Sequence, residues 1–164
     1  MKHYRSIYKI TMSAAIMAVY IVLMFATQSF AFGQYQLRIA TALYAMAGVH
    51  PWLILPLGLA NMLSNMLMGG LGPADIGGGL LVGLLTAGAV ALLRRKTRCV
   101  WLLVLPIAIV PSFVVPIWLH FLLLVPYFVL VPSLLVGQAI SAYTLGIVLL
   151  NIKWEKVFRA PPPP

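Results

Sequence analysis

Charge is what this chain has least of. Asp, Glu, Lys and Arg make up 8% of its 164 residues, against about a quarter in soluble globular proteins. Hydrophobic residues reach 63% and the mean hydropathy is +1.04, which excludes an ordinary water-soluble domain. Cysteine is almost missing as well. Cys99 stands alone inside a basic cluster, so it has no partner for an intrachain disulfide or a zinc site. The few Ser and His residues offer no base–nucleophile pair, and no residues cluster with metal-ligand spacing, so nothing points to an enzyme, a metal or a bound cofactor. Glycines recur between Gly69 and Gly83. No strand precedes them and no lysine follows, so the dinucleotide and phosphate-loop readings both fail. There is no ATPase motif.

The charges that are present follow a pattern. Lys2, Arg5 and Lys9 open the chain; Arg94, Arg95, Lys96 and Arg98 form a second cluster; Lys153, Glu155, Lys156 and Arg159 form a third. A net charge of +9 could suit nucleic acid, but these residues sit at the ends of apolar runs, where the positive-inside rule puts them in membrane proteins. We therefore expect a lipid bilayer and no nucleic acid as partner. The basic start and apolar run imitate a secretory signal. The run from Ile10 to Ala26 is too long for a signal core, and we read it as a retained first helix.

Six apolar blocks lie between the clusters, at about 7–27, 37–49, 52–68, 74–93, 100–119 and 127–150. Pro106, Pro111 and Pro116 fall in the fifth; membrane helices tolerate proline, so bending is expected rather than a break. Placing every basic cluster in the cytoplasm needs an even number of spans between clusters, and four followed by two satisfies it. The expectation is an all-α integral membrane protein of six transmembrane helices in the bacterial plasma membrane, with both termini cytoplasmic. One domain covers residues 1–159, and 160–164 is a polyproline tail expected to be disordered. The second block is the shortest, and as an α-helix it covers only about 20 Å.

Arg38 and Asp75 alone interrupt the apolar stretch between Lys9 and Arg94. A charge among membrane helices costs about 3 kcal/mol or more unless it is paired or solvated, which makes both residues candidates for function. In this topology each opens an inward-running helix near the outer face. Helix N-termini carry free N–H groups and partial positive charge, which suit Asp75 and acceptor atoms of a ligand. Gln34, Gln36, Asn65, Trp118, His120 and Tyr127 fall in the same layer, while the opposite leaflet offers only Tyr44, His50 and Ser13. Each has a plainer role open to it. Asp75 can cap a helix, Arg38 can snorkel, Trp118 and His120 can belong to an interfacial belt, and Asn61 and Asn65 can join helices. Their convergence on one leaflet argues for an outward-opening solute pocket, with Gln36, Arg38, Asn65, Asp75, Trp118, His120 and Tyr127 as candidate binding residues.

In the first helix Ala14 and Ala18 lie one turn apart, beside Ser13 and Ala15, on a face small enough for close approach by another helix. With that face the chain resembles the substrate-binding (S) subunits of energy-coupling factor (ECF) vitamin transporters. Those are six-helix proteins of similar size, with an alanine motif on helix one that contacts a shared transmembrane subunit; Ala14 and Ala18 match it. Within the group, the run from Gln34 through Gln36, Arg38 and Ile39 to Leu43 is similar to the Gln-x-Arg-Ile segment of the QueT family. Asn65 to Gly83, with Gly72, Pro73, Ala74, Asp75 and Ile76, is similar to that family's second segment. The resemblance implies an ECF S-component-like bundle that captures a queuosine precursor of the 7-deazaguanine type. It also implies an ECF transmembrane scaffold subunit and two cytosolic ATPases as partners that drive uptake.

Thr41 departs from the family pattern, which has Glu three positions after its Arg. Asp75 can still accept two adjacent N–H donors from a guanine-type edge, whereas a cationic aminomethyl arm would benefit from a second carboxylate. A neutral deazapurine and another vitamin-like heterocycle both remain open. So do two other classes: a stand-alone carrier or channel, which should be polar through both leaflets, and a scaffold in which Arg38 and Asp75 form a structural ion pair.

Overall fold

Lipid offers no hydrogen bonds to a peptide backbone, so long apolar runs satisfy their own as helices. The computed structural model describes residues 2–31, 36–69 and 71–152, and all regular structure among them is helical. In chain order the helices are α1 (Lys2–Ala26), α2 (Ile39–Val49), α3 (Pro51–Met68), α4 (Pro73–Lys96), α5 (Val100–Leu123) and α6 (Tyr127–Asn151). Five are long and apolar enough to cross a membrane, and α2 is shorter. Gln34, the third basic cluster and the polyproline tail lie outside the described residues. A further helical turn, Gln28–Ala31, follows α1.

Side-chain neighbours give the directions. Lys9 and Trp52 border one groove between α1 and α3, and Phe25 and Met68 border another, so these two helices run parallel. The backbone of Gly48 lies against side chains of Val90, Arg94 and Leu150, so α2, α4 and α6 finish at the same end. Trp118, late in α5, reaches Asp75 at the start of α4. The bundle thus has a basic end and, opposite it, an end where Asp75 sits. Its flanks are apolar: Leu55, Leu81, Leu92, Phe113, Phe121 and Phe128 are all exposed. A surface of that kind is stable in hydrocarbon and would associate in water.

The short helix occupies the centre. Every residue from Ala40 through Gly48 is buried, and α2 touches α1, α4 and α6. Its first seven residues, Ile39–Ala45, are 3₁₀-helix, and only Met46–Val49 is α-helix. At about 2.0 Å per 3₁₀ residue the whole element spans about 20 Å, short of a hydrocarbon core of about 30 Å. Arg38, at its N-terminal foot, lies beside Asn61 and Asn65 in the last turns of α3. Tyr44 of α2 meets Tyr20 of α1 through their hydroxyls at 3.2 Å, both rings fully buried.

Two features aim the surrounding helices. At the crossing of α3 and α4, a Cβ on Gly83 would lie 2.7 Å from Gly58 Cα, so only glycine permits this approach. The helix α5 stays continuous from Val100 to Leu123 but has turns at Val104 and Val115, beside Pro106 and Pro116. Proline removes an N–H and clashes with the preceding turn, which bends a helix without ending it when neighbours pack around it. The fifth block thus runs through its three prolines without a break, as expected.

Candidate functional site

Arg38 is 4% exposed and its guanidinium is held by neutral groups from two directions. Its Nη1 donates to Asn61 Oδ1 at 3.3 Å and Asn65 Oδ1 at 3.2 Å, and its Nε donates to the Ala31 carbonyl at 3.3 Å. The extra helical turn after α1 therefore supplies an acceptor. Both asparagines use their remaining end on α4: Asn61 Nδ2 donates to the Gly79 carbonyl at 2.9 Å, and Asn65 Nδ2 to the Asp75 carbonyl at 3.0 Å. Asn65 thus links the residue that carries the positive charge to the residue that carries the negative one. It also opens a π-helical segment, Asn65–Gly69, at the end of α3, a local widening often found at functional sites.

Asp75 is 2% exposed in the first turn of α4. Trp118 donates its indole N–H to Asp75 Oδ1 at 3.2 Å. The ring lies directly against Gly78, where any Cβ would overlap it. The second carboxylate oxygen, Oδ2, is buried and accepts no hydrogen bond. Hydrogen bonds to charged groups contribute about 1.5–3 kcal/mol, and leaving a buried acceptor unmet costs a similar amount. Such an atom can still accept a hydrogen bond.

A second polar group lies on the other flank of Arg38. Gln36 is 6% exposed, with φ of 41°, a left-handed conformation uncommon outside glycine. Its side-chain Oε1 is buried without a partner. Gln138, in the middle of α6 and 1% exposed, donates from Nε2 to the Gln36 carbonyl at 3.2 Å. The Thr41 hydroxyl lies 2.9 Å from Gln138 Oε1 and 2.6 Å from the Arg38 carbonyl.

Of the residues selected from sequence, the structure joins Arg38, Asn65, Asp75 and Trp118 in one hydrogen-bonded chain, with Gln36 beside it. His120 and Tyr127 form a separate pair, rings edge to face at 6.3 Å, with His120 Nδ1 against the Pro116 carbonyl and the Tyr127 hydroxyl donating to the Phe113 carbonyl. Ala14 and Ala18 are exposed on α1. Ala14 lines a groove of about 390 Å³ shared with α3, beside Lys9, Ser13 and Trp52. Sequence reasoning treated Asn61 only as a possible joint between helices and passed over Gln138. A lone amide in an otherwise apolar block was the available signal for Gln138.

Among the described residues, no cluster of His, Cys, Asp or Glu could hold a metal ion. No curated protein and no solved structure matches the chain. A family model, the QueT transporter, matches residues 10–153, nearly the whole length. The apolar flanks, the five membrane-length helices and the buried polar chain agree with that match: this multi-pass membrane protein belongs to the QueT transporter family.

Proposed function

We propose that the protein is the substrate-capturing subunit of an ECF-type importer and that Asp75, Trp118, Asn65, Arg38 and Gln36 form its solute site. Asp75 Oδ2, buried and without a hydrogen bond, is the observation that carries this reading. A planar heterocycle with two adjacent N–H groups can donate to such a carboxylate in bidentate fashion, and the indole of Trp118 offers a face for stacking. A 7-deazaguanine, as in queuosine precursors, has that edge. The site opens outward, with the basic clusters and both termini in the cytoplasm, six spans counting α2, and the helices arranged as an S-component bundle. The exposed Ala14–Ala18 face supports docking on a transmembrane scaffold subunit, which two cytosolic ATPases drive. His120 and Tyr127 stand at the rim of the same end.

Calorimetry on the purified subunit with 7-deazaguanine tests the site. Asp75→Asn should weaken binding by about 5- to 150-fold, the effect of one lost buried hydrogen bond of about 1–3 kcal/mol, with the protein still folded. An exchange of the two charges, Arg38→Asp with Asp75→Arg, should not restore it, because donors and acceptors would be reversed against a fixed solute. Rescue by the exchange would identify a structural ion pair instead. Unchanged affinity in Asp75→Asn would defeat the site.

A further inference from the structure

Resting on that reading of the site, we infer that solute enters through a gate. The outer segment of α5, Pro116–Leu123, swings away and carries Trp118 off Asp75, and Tyr127 is the positioning residue that braces it. Gln36, Arg38, Asn65 and Asp75 are between 2% and 6% exposed, too little for a heterocycle to reach their polar atoms unless part of the protein moves. Trp118 is the one member of the proposed site that is partly exposed. Its indole N–H bonds Asp75 Oδ1 at 3.2 Å and its ring lies against Gly78, so a partly exposed ring overlies the buried face at the start of α4.

Both ends of the segment are points where a helix yields. At its start, the turn at Val115 precedes Pro116, which has no N–H to offer the Ser112 carbonyl one turn back. At its end Leu124 takes a left-handed φ of 55°, and Pro126 follows. Between these points only Pro116 and Leu119 are buried. Leu119 packs in a small apolar cluster with Val82, Val115, Leu130 and Leu134, separate from the main core, while Ile117, Phe121, Leu122 and Leu123 are exposed. A segment with so few buried contacts opens at lower free energy than the fold as a whole. Two polar ties hold it. One is the bond from Trp118 to Asp75. The other is Tyr127 of α6, which spans the hinge: its hydroxyl donates to the Phe113 carbonyl at 3.0 Å, three residues before Pro116, and its ring meets His120 of the segment edge to face.

A gate changes entry and exit together. When solute binds and leaves only through the open form, loosening the closed gate equally with and without solute raises both rates by one factor and leaves the affinity unchanged. Tyr127→Phe keeps the ring against His120 and removes the hydroxyl. Stopped-flow titration of the purified subunit with 7-deazaguanine should then show association and dissociation both about fivefold faster, the worth of one ordinary hydrogen bond, at unchanged Kd. Gly78→Ala puts a methyl group where the Trp118 ring now lies and should hold the gate ajar. Hydrogen exchange reads the motion without solute. Amides of residues 117–123 should exchange faster than those of Leu105–Val114 in the same helix, faster again in Tyr127→Phe and Gly78→Ala, and more slowly once 7-deazaguanine is bound. Equal exchange along α5, or exchange unaltered in both variants, would overturn the gate while leaving the solute site standing. Weaker binding in Tyr127→Phe through faster dissociation alone would make Tyr127 a solute contact rather than a brace, and would overturn the gate as well. Fast exchange in a protein that does not bind 7-deazaguanine would instead overturn the site reading, and with it the segment's role as an entrance.

Discussion

Trp118 is the residue on which the arrangement at Asp75 turns. Its indole N–H is the hydrogen bond that holds Asp75 Oδ1, so Trp118→Phe keeps the ring over Gly78 and removes the donor alone. Affinity for 7-deazaguanine should fall by about 5- to 150-fold, and calorimetry together with a thermal melt in detergent separates this from misfolding. Asn65→Leu keeps much of the volume but cuts the link between Arg38 and the Asp75 backbone. Leaving buried donors and acceptors unmet should lower stability by about 1–3 kcal/mol, visible as a lower melting temperature before any solute is added. Arg38 and Asp75 were legible in the sequence because an isolated charge in an apolar run has few neutral explanations. Their connections were not. Thr41 and Gln138 are far apart in the chain, and only packing decides that they meet.

Helices rather than single residues set the depth of the site. Apolar runs bounded by basic clusters, prolines and glycines made the five long helices readable close to their observed ends. The 3₁₀ character and central burial of α2 were not readable, since hydropathy is the same for a short tilted span and for a helix wrapped by its neighbours. The contact between α3 and α4 gives a sharp test. Gly83→Leu would drive a side chain into Gly58 and part the helices that present Asn61, Asn65 and Asp75. Stability and solute binding should fail together. Gly77, on the same helix, is exposed and a Cβ there meets nothing within 4 Å. Gly77→Ala should leave binding intact and raise stability by about 0.5–1 kcal/mol, the helix-propensity difference. Equal damage from both substitutions would show that the crossing is not what constrains Gly83.

At the scale of the molecule, the lone cysteine becomes a native reporter of orientation. Cys99 is exposed beside the second basic cluster, so a membrane-impermeant maleimide should label it in inside-out vesicles and spare it in intact cells. Labelling from outside would reverse the proposed topology. Replacing Ala14 and Ala18 with Leu should abolish assembly with the scaffold subunit, measured by co-purification, while the isolated protein still binds 7-deazaguanine, because both side chains face away from the core. Lost binding with assembly preserved would refute the docking face. Finally, the network that joins Arg38 to Asp75 through Asn65 keeps one positive and one negative group at the same place in the bundle. Moving a single charge through a membrane potential involves about 2.3 kcal/mol of electrical work per 100 mV, but moving the two together involves almost none. Transport of an uncharged solute on this site should therefore be electrically silent. Clamping the potential of proteoliposomes at zero or at −100 mV, a value on the order of resting potentials, should leave the uptake rate per ATP hydrolysed unchanged.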